Sequence, residues 1–207
     1  MYTLFWEKGS GSIAVQAMLE EMGVSYDRSY VDMEAGEHQK DRYLRKNPTG
    51  LVPALKLPDL HIIGESAAIV LHLGEQCSDA QLVPRSDDNE RPDFLYWLLF
   101  MATTGYTTFG RLGHPERYTQ DRTALEAVRL AAEDDVTRFF DVLEGGIKGE
   151  PYFLSSGFTA LDIYLTMLAG WHPDRSALFQ RNPKIAALCT AVESRAAYKK
   201  VIADHAE

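Results

Sequence analysis

The sequence predicts an α+β domain over residues 1–77, with the element order βαβαββα, followed by an all-α helical domain over residues 93–207. Three observations support this division. Short apolar and β-branched runs alternate with helical periods in the first part of the chain. Residues 78–92 are polar and charged with neither period, and they are predicted to be a linker. Beyond that linker, strand-like runs disappear and only helical periods continue.

The predicted first domain begins with a strand and a helix. Residues 3–6 form a short apolar run that ends at the stretch KGSGS, which is typical of a strand entering a tight loop. From Ile13 the apolar residues recur every three or four positions until Gly23, and this pattern predicts a helix. A second strand is expected at residues 29–31, followed by a short, irregular helix.

Two more strands and a helix complete this domain. After the turn NPTG at residues 47–50, apolar runs at 54–57 and 60–63 are separated only by a Pro-Asp pair. These strands must be antiparallel, because a parallel pair needs a crossover of about a dozen residues. Ser66 precedes apolar residues at helical spacing, so we expect it to cap a helix. The result is a mixed four-stranded sheet with helices on both faces.

The predicted second domain contains only helical segments. Thr159 and Asp162 have the spacing of a capping box, in which two side chains satisfy the first backbone N–H groups of a helix. The predicted helical segments are residues 93–104, 121–143, 159–169 and a last region that opens at 182–183.

Charge and composition exclude several kinds of partner. The 21 basic and 30 acidic residues give a formal net charge of −9, so no basic field attracts nucleic acid. No apolar run reaches the roughly 20 residues that span a bilayer, and the N-terminus lacks a signal-peptide pattern. We therefore expect a cytoplasmic protein without a membrane partner. Cys77 and Cys189 lie far apart with no metal-ligand spacing, which predicts neither a disulfide framework nor a metal site.

The most informative stretch is residues 47–76, NPTGLVPALKLPDLHIIGESAAIVLHLGEQ. It holds an N-P-x-G-x-V-P turn, a predicted hairpin and a Glu-Ser pair that opens a helix. This stretch resembles the glutathione-binding region of the cytosolic glutathione transferase superfamily, and the spacing agrees over nearly the whole chain. The segment FTALD at 158–162 is similar to the capping box of that family. The resemblance implies a thioredoxin-like first domain and a cytoplasmic, homodimeric enzyme of detoxification.

The resemblance also implies which residues bind glutathione. Pro53 would be cis, and the backbone N–H and C=O of Val52 would pair with the cysteinyl part of glutathione like an added strand. Ser66, at a helix start, would hold the γ-glutamyl carboxylate, and Glu65 would hold the neighbouring ammonium. His38, in the stretch GEHQK, would reach the glycine carboxylate. Without the resemblance, these residues would be interpreted as an ordinary trans proline, a helix cap and a solvated histidine.

The sequence leaves the thiol-activating residue open. Members of the family use a Tyr, Ser or Cys at the end of the first strand, but Phe5 or Trp6 stands where a tyrosine would be expected. Ser10 and Ser12 remain as candidate catalytic hydroxyls. Alignment with the bacterial pattern G-x-C-S puts Gly11 on the cysteine and Ser12 after it, whereas a small shift in the loop makes Ser10 the donor. The helix that begins near Ser12 would add its dipole.

A second pocket, for a hydrophobic electrophile, is expected between the two domains. Its candidate residues Tyr106, Phe109, Arg111 and His114 lie in TTGYTTFGRLGHPERY, whose glycines suggest a mobile rim rather than a helix core.

The resemblance and these candidate residues together predict a glutathione transferase with glutathione as co-substrate and no metal. Two alternatives stay open: a glutathione-dependent disulfide reductase or peroxidase, and a non-catalytic binding module of the same fold.

Overall fold

The computed structural model describes residues 1–206, whose contacts divide them into two units. The first unit contains Met1–Asp88 and the described residues from Glu193 onward, and the second contains Asn89–Val192. The sequence assigned every residue after 92 to the helical domain. By its contacts, the last helix instead groups with the N-terminal unit.

The first unit is built on a mixed four-stranded sheet. The elements of the unit, in chain order, are β1 (Tyr2–Trp6), α1 (Ser12–Glu21), β2 (Tyr26–Tyr30), α2 (Asp41–Leu44), β3 (Ala54–Lys56), β4 (Ile62–Ile63) and α3 (Ser66–Gln76). The strands lie in the order β2-β1-β3-β4, in which β1 pairs with β2 in parallel and with β3 antiparallel, and β4 is antiparallel to β3. This topology confirms the predicted α+β fold.

Three local predictions differ from the structure. β2 begins at Tyr26, earlier than predicted. No sequence signal marks this start, because the edge strand is mostly exposed and carries no apolar alternation. β4 is shorter than predicted, since Leu60 lies in the preceding turn with φ 76°. Ser66 is the first residue of α3 rather than its cap. The cap position belongs to Glu65, which adopts φ 58° and ψ 107° without a side-chain cap hydrogen bond.

The two faces of the sheet pack against different helices. Successive residues of β1 point to opposite faces. On one face, Phe5 packs in a cluster with Val31, Tyr43 and Ala54, and Val52 is partly buried against that cluster. On the other face, α1 and α3 pack against each other and against the strands. The largest fully buried side chains from β1, β3 and these two helices are Leu4, Met18, Leu19, Leu55, Ile69 and Leu73.

The second unit is helical, as predicted. Its helices are α4 (Arg91–Phe100), α5 (Tyr106–Gly113), α6 (Leu125–Gly146), α7 (Ala160–Gly170), α8 (Arg175–Arg181) and α9 (Pro183–Ser194), the last of which ends among residues of the first unit. Thr159 and Asp162 form the predicted capping box at the start of α7. Asp162 is fully buried there.

The prediction of a glycine-broken rim after α4 is wrong. A π-helical turn at Met101–Gly105 leads directly from α4 into α5, so the stretch is helical. A Cβ at Gly105 would lie 2.8 Å from Cζ of Phe139. The glycine is therefore required for close packing against α6 and does not interrupt the helix.

α10 (Ala196–Ala206) packs against α1 within the first unit. Arg195 forms an ion pair with Glu21 at 2.6 Å, and Lys200 forms one with Glu20. Helical periodicity alone does not reveal which surface a helix covers, so the sequence did not predict this placement. Within residues 1–206, no helix has both the length and the apolar character needed to cross a bilayer.

Candidate functional site

The sheet topology brings the predicted glutathione-binding segments to one edge. Phe5 of β1 pairs with Ala54 of β3, so the loop after β1 lies beside the turn that contains Val52 and Pro53. The pairing of Leu55 with Ile63 places the start of α3 at the same edge. β2 runs parallel to β1, and the segment that contains His38 therefore leaves the sheet at this edge too.

Close contacts between the turns support this placement. A Cβ at Gly64 would lie 3.4 Å from the side-chain amide of Asn47, and a Cβ at Gly50 would lie 3.2 Å from the backbone oxygen of His38. Gly50 has φ 64°, a left-handed conformation that glycine adopts without strain. The turn at residues 47–53 thus lies between the His38 segment and the start of α3.

The peptide between Val52 and Pro53 is cis, as the resemblance implied. The preceding carbonyl, that of Leu51, accepts hydrogen bonds from the Tyr43 hydroxyl at 2.7 Å and from the Asn47 amide at 2.8 Å. Burial raises the pKa of Tyr43 to about 12, so this phenol remains a donor at neutral pH. The described residues supply no hydrogen-bond partner to the backbone N–H or C=O of Val52. These two groups are therefore available for an extended ligand.

Tyr43 and Asn47 also belong to this candidate site, although the sequence did not identify either of them as a site residue. Both are buried, and together they hold the Leu51 carbonyl beside the Val52 backbone. The NPTG turn was a signal for Asn47, whose carboxamide oxygen also accepts from the Thr49 hydroxyl at 3.0 Å. Nothing in the local sequence marked Tyr43, because its role depends on a turn that lies eight residues later.

Glu65, Ser66 and His38 lie where an ionic ligand could reach them. Glu65 is exposed, and Ser66 is buried in the first turn of α3, where backbone N–H groups and the helix dipole favour a negative charge. His38 lies in a single 3₁₀ turn, Glu37–Gln39. Its Nδ1 is buried and has no hydrogen-bond partner among the described residues. A ligand that forms a hydrogen bond with such a buried, unpaired nitrogen is bound more tightly for that reason.

The two candidate hydroxyls differ in accessibility. Ser12 is fully buried in the first turn of α1, whereas Ser10 is only half-buried. The oxygen Oγ of Ser10 lies 2.8 Å from the carbonyl oxygen of Glu7, 2.8 Å from Oγ of Ser12 and 3.2 Å from the Ser12 backbone nitrogen. Because a carbonyl only accepts, Ser10 donates to Glu7, and the hydroxyl and N–H of Ser12 both donate to Ser10. Ser12 therefore orients Ser10.

The predicted electrophile-pocket residues all lie at α5. Tyr106 packs on Tyr164 and Trp171, with ring centroids 5.9 and 5.2 Å apart. Phe109 is buried against Phe140 and Trp171, and it therefore belongs to the core of the second unit. Of the two polar members of the set, Arg111 forms an ion pair with Asp135 at 2.8 Å, and the exposed His114 lies 3.4 Å from Glu116.

Comparison with known proteins places this geometry in a family. The family models described as "Glutathione S-transferase, N-terminal domain" and "Glutathione S-transferase, C-terminal domain" match residues 12–76 and 100–196. The glutathione S-transferase GstA of Escherichia coli O157:H7 is 30% identical over 172 residues, which cover 81% of each chain. The chain belongs to the glutathione S-transferase family.

Solved structures agree with this membership. A glutathione transferase homologue from Sulfitobacter, crystallised with bound glutathione, has a TM-score of 0.90 and 26% identity, covering 99% of this chain and 98% of its own. A further sequence relative is Protein URE2 of Eremothecium gossypii, which is 31% identical over 150 residues, covering 69% of this chain and 42% of that protein. The thioredoxin-like domain and the helical domain of this glutathione S-transferase family member are therefore confirmed.

Proposed function

We propose that this chain binds glutathione at the sheet edge described above and activates its thiol for attack on a hydrophobic electrophile. The observation that carries the proposal is the unpaired backbone of Val52 beside the cis Pro53, at the same edge as Glu65, Ser66 and His38. An extended peptide that carries a carboxylate and an ammonium at one end and a carboxylate at the other matches these groups. Glutathione is such a peptide.

Each part of glutathione has a complementary group. The cysteinyl backbone pairs with the N–H and C=O of Val52, as an added strand does at a sheet edge. The γ-glutamyl carboxylate lies at the first turn of α3 with Ser66, and its ammonium faces Glu65. The glycine carboxylate accepts a hydrogen bond from the ring of His38. Together these contacts bind the peptide at both ends and leave the thiol beside the loop after β1.

Thiol activation is assigned to Ser10, with Ser12 as a positioning residue. A free thiol has a pKa of about 8.5, and a hydroxyl donor together with a helix N-terminus lowers it by roughly one to two units. Ser10 can donate to the sulfur after its hydroxyl turns away from the Glu7 carbonyl. Its oxygen accepts two hydrogen bonds from Ser12, and this polarisation strengthens Ser10 as a donor.

The reaction is a substitution or an addition by the thiolate. With an aryl halide, the thiol proton passes to solvent and the sulfur electron pair forms the new carbon–sulfur bond. The halide leaves with the electron pair of the bond that breaks. Ser10 keeps its proton throughout.

The assignment of Tyr106, Phe109, Arg111 and His114 to the electrophile pocket stays a prediction. The cytoplasmic location, the homodimer and the role in detoxification also stay predictions.

The experiment compares thermal unfolding with and without glutathione, followed by turnover with aryl halides, epoxides, enones and disulfides. S-methylglutathione is the matched ligand control, because it keeps both charged ends and lacks the thiol. We expect both peptides to raise the melting temperature and only glutathione to react. Turnover of disulfides alone would instead identify a glutathione-dependent reductase, and binding without any turnover would identify a binding module. No shift with either peptide would contradict the proposal.

Substitution of Ser66 by Ala should weaken glutathione binding by roughly tenfold to a hundredfold, because a hydrogen bond to a charged group contributes about 1.5–3 kcal/mol. The loss of stability should be smaller than this loss of binding free energy, since Ser66 does not occupy the cap position of α3. Titration calorimetry and thermal unfolding measure the two effects. Ser78→Ala, at the exposed 3₁₀ turn after α3, is the matched control. Unchanged affinity in Ser66→Ala would show that Ser66 has only a structural role.

A further inference from the structure

His205, near the C-terminal end of α10, contacts the loop after β1. The backbone N–H of Gly9 donates a hydrogen bond to Nδ1 of His205 at 3.1 Å, across 196 residues of sequence. The other ring nitrogen, Nε2, lies 3.2 Å from Oε1 of Gln16 in α1. The imidazole is almost completely buried. One ring nitrogen thus contacts the loop that carries Ser10, and the other contacts the helix that follows this loop.

The hydrogen bonds around this ring determine where its proton lies. Nδ1 accepts from a backbone N–H, so it carries no hydrogen, and Nε2 donates to Gln16. The amide nitrogen of Gln16 in turn donates to Oδ2 of Asp204 at 2.7 Å, and Arg28 pairs with the same oxygen at 3.1 Å. Each of these hydrogen bonds joins one donor to one acceptor. The arrangement is complete only when His205 is neutral.

Electrostatics favour the same neutral form. Burial and, to a smaller extent, the charge of Arg28 lower the pKa of His205 to about 4, although Asp204 opposes these two effects. An edge-on aromatic contact with Trp6 also restricts the His205 ring. The ring centroids of Trp6 and His205 are 4.8 Å apart, and the guanidinium of Arg28 lies 4.9 Å from the Trp6 centroid. At neutral pH the imidazole is therefore a fixed, uncharged acceptor.

The backbone N–H that donates to His205 belongs to Gly9, which directly precedes Ser10, the proposed donor to the thiol. Gly9 adopts φ 64°, a conformation in which its N–H points to His205, and Ser10 follows directly. We propose that His205 is a positioning residue that sets the orientation of the loop at residues 7–12 and thereby the placement of Ser10. This proposal rests on the function proposed above for Ser10. His205 itself touches neither the substrate nor the reacting sulfur.

Two substitutions separate the two ring nitrogens. In His205→Asn the side-chain oxygen can take the place of Nδ1 and still accept from Gly9. In His205→Gln the amide nitrogen can take the place of Nε2 and still donate to Gln16, while the acceptor for Gly9 is lost. Ile202→Ala, at a half-exposed position of the same helix, controls for general changes in α10. Thermal unfolding of all three variants verifies that they fold.

Two measurements follow the loop and the chemistry separately. The first is hydrogen exchange of the Gly9 amide in the free protein. The second is the pKa of bound glutathione, from its thiolate absorbance, together with kcat and KM for glutathione. We expect His205→Gln to accelerate Gly9 exchange roughly twofold to tenfold, as loss of one hydrogen bond predicts. It should also raise the thiol pKa and lower kcat by a similar factor with little change in KM. His205→Asn should remain close to the wild type in all of these.

The two readouts distinguish failure of this inference from failure of the proposed function. Wild-type exchange at Gly9 in His205→Gln would overturn the inference, and so would equal losses in the Asn and Gln variants, which would show a purely structural role for the ring. Faster exchange with an unchanged thiol pKa would also overturn it, because the loop would then move without affecting activation. If the wild-type protein does not lower the thiol pKa at all, the proposed function fails, and the inference fails with it even if the exchange result holds.

Discussion

Substitution of Ser10 by Ala should raise the pKa of bound glutathione and lower kcat at neutral pH by roughly tenfold to a thousandfold, because removal of one donor to an anion in an active site costs up to about a thousandfold in kcat. The affinity for glutathione should change little, because Val52, Glu65, Ser66 and His38 bind the peptide independently of its thiol. The measurement is the thiolate absorbance of bound glutathione as a function of pH, with kcat determined in parallel.

Ser12→Ala provides a comparison within the same loop. Its hydroxyl is fully buried and donates to Ser10, so its loss should weaken activation less than loss of Ser10 itself. The double variant should resemble Ser10→Ala, because Ser12 acts through Ser10. If all three variants titrate like the wild type, the sulfur is activated by backbone amides and the dipole of α1, and the assignment of Ser10 is wrong.

Substitution of Asp162 by Ala should lower the free energy of unfolding by roughly 3–5 kcal/mol, because two buried backbone N–H groups would lose their acceptor. One oxygen of Asp162 accepts from the N–H of Phe153 at 2.7 Å. The other accepts from the N–H of Thr159 at 2.7 Å and lies 3.3 Å from its hydroxyl. Such a loss is a large share of the stability of an ordinary domain.

Denaturant unfolding at about pH 8 measures this effect. Burial raises the pKa of Asp162 to about 6, and at the chosen pH the carboxylate is ionised and accepts all three hydrogen bonds. Asp174→Ala is the matched control, since Asp174 caps α8 at an exposed position, where it accepts from the N–H of Ala177 at 2.9 Å. Its loss should cost about 1 kcal/mol. Equal effects of the two substitutions would show that the buried box contributes no more than an ordinary cap.

Sequence alone was sufficient wherever the signal is local. The tight spacing of the runs that contain Leu55 and Ile63 required an antiparallel pair, and the structure has that pair. Thr159 and Asp162 form their box within one helical turn, so three residues of spacing were enough to predict it. The cis peptide at Pro53 was implied by the resemblance of residues 47–76 to the glutathione transferase superfamily, because the residues alone favoured an ordinary trans proline.

Only the tertiary structure distinguished Ser10 from Ser12, because both stand in the same glycine-rich loop and differ only in what packs over them. The helical path of α5 was likewise decided by packing, where Gly105 admits the ring of Phe139. The contact of His205 with Gly9 joins residues at opposite ends of the chain. Spacing and periodicity describe neighbours within a few residues, whereas burial and long-range hydrogen bonds depend on which surfaces meet after folding. For that reason the sequence predicted the family and the peptide-binding edge, and the structure decided which hydroxyl is accessible and what holds its loop.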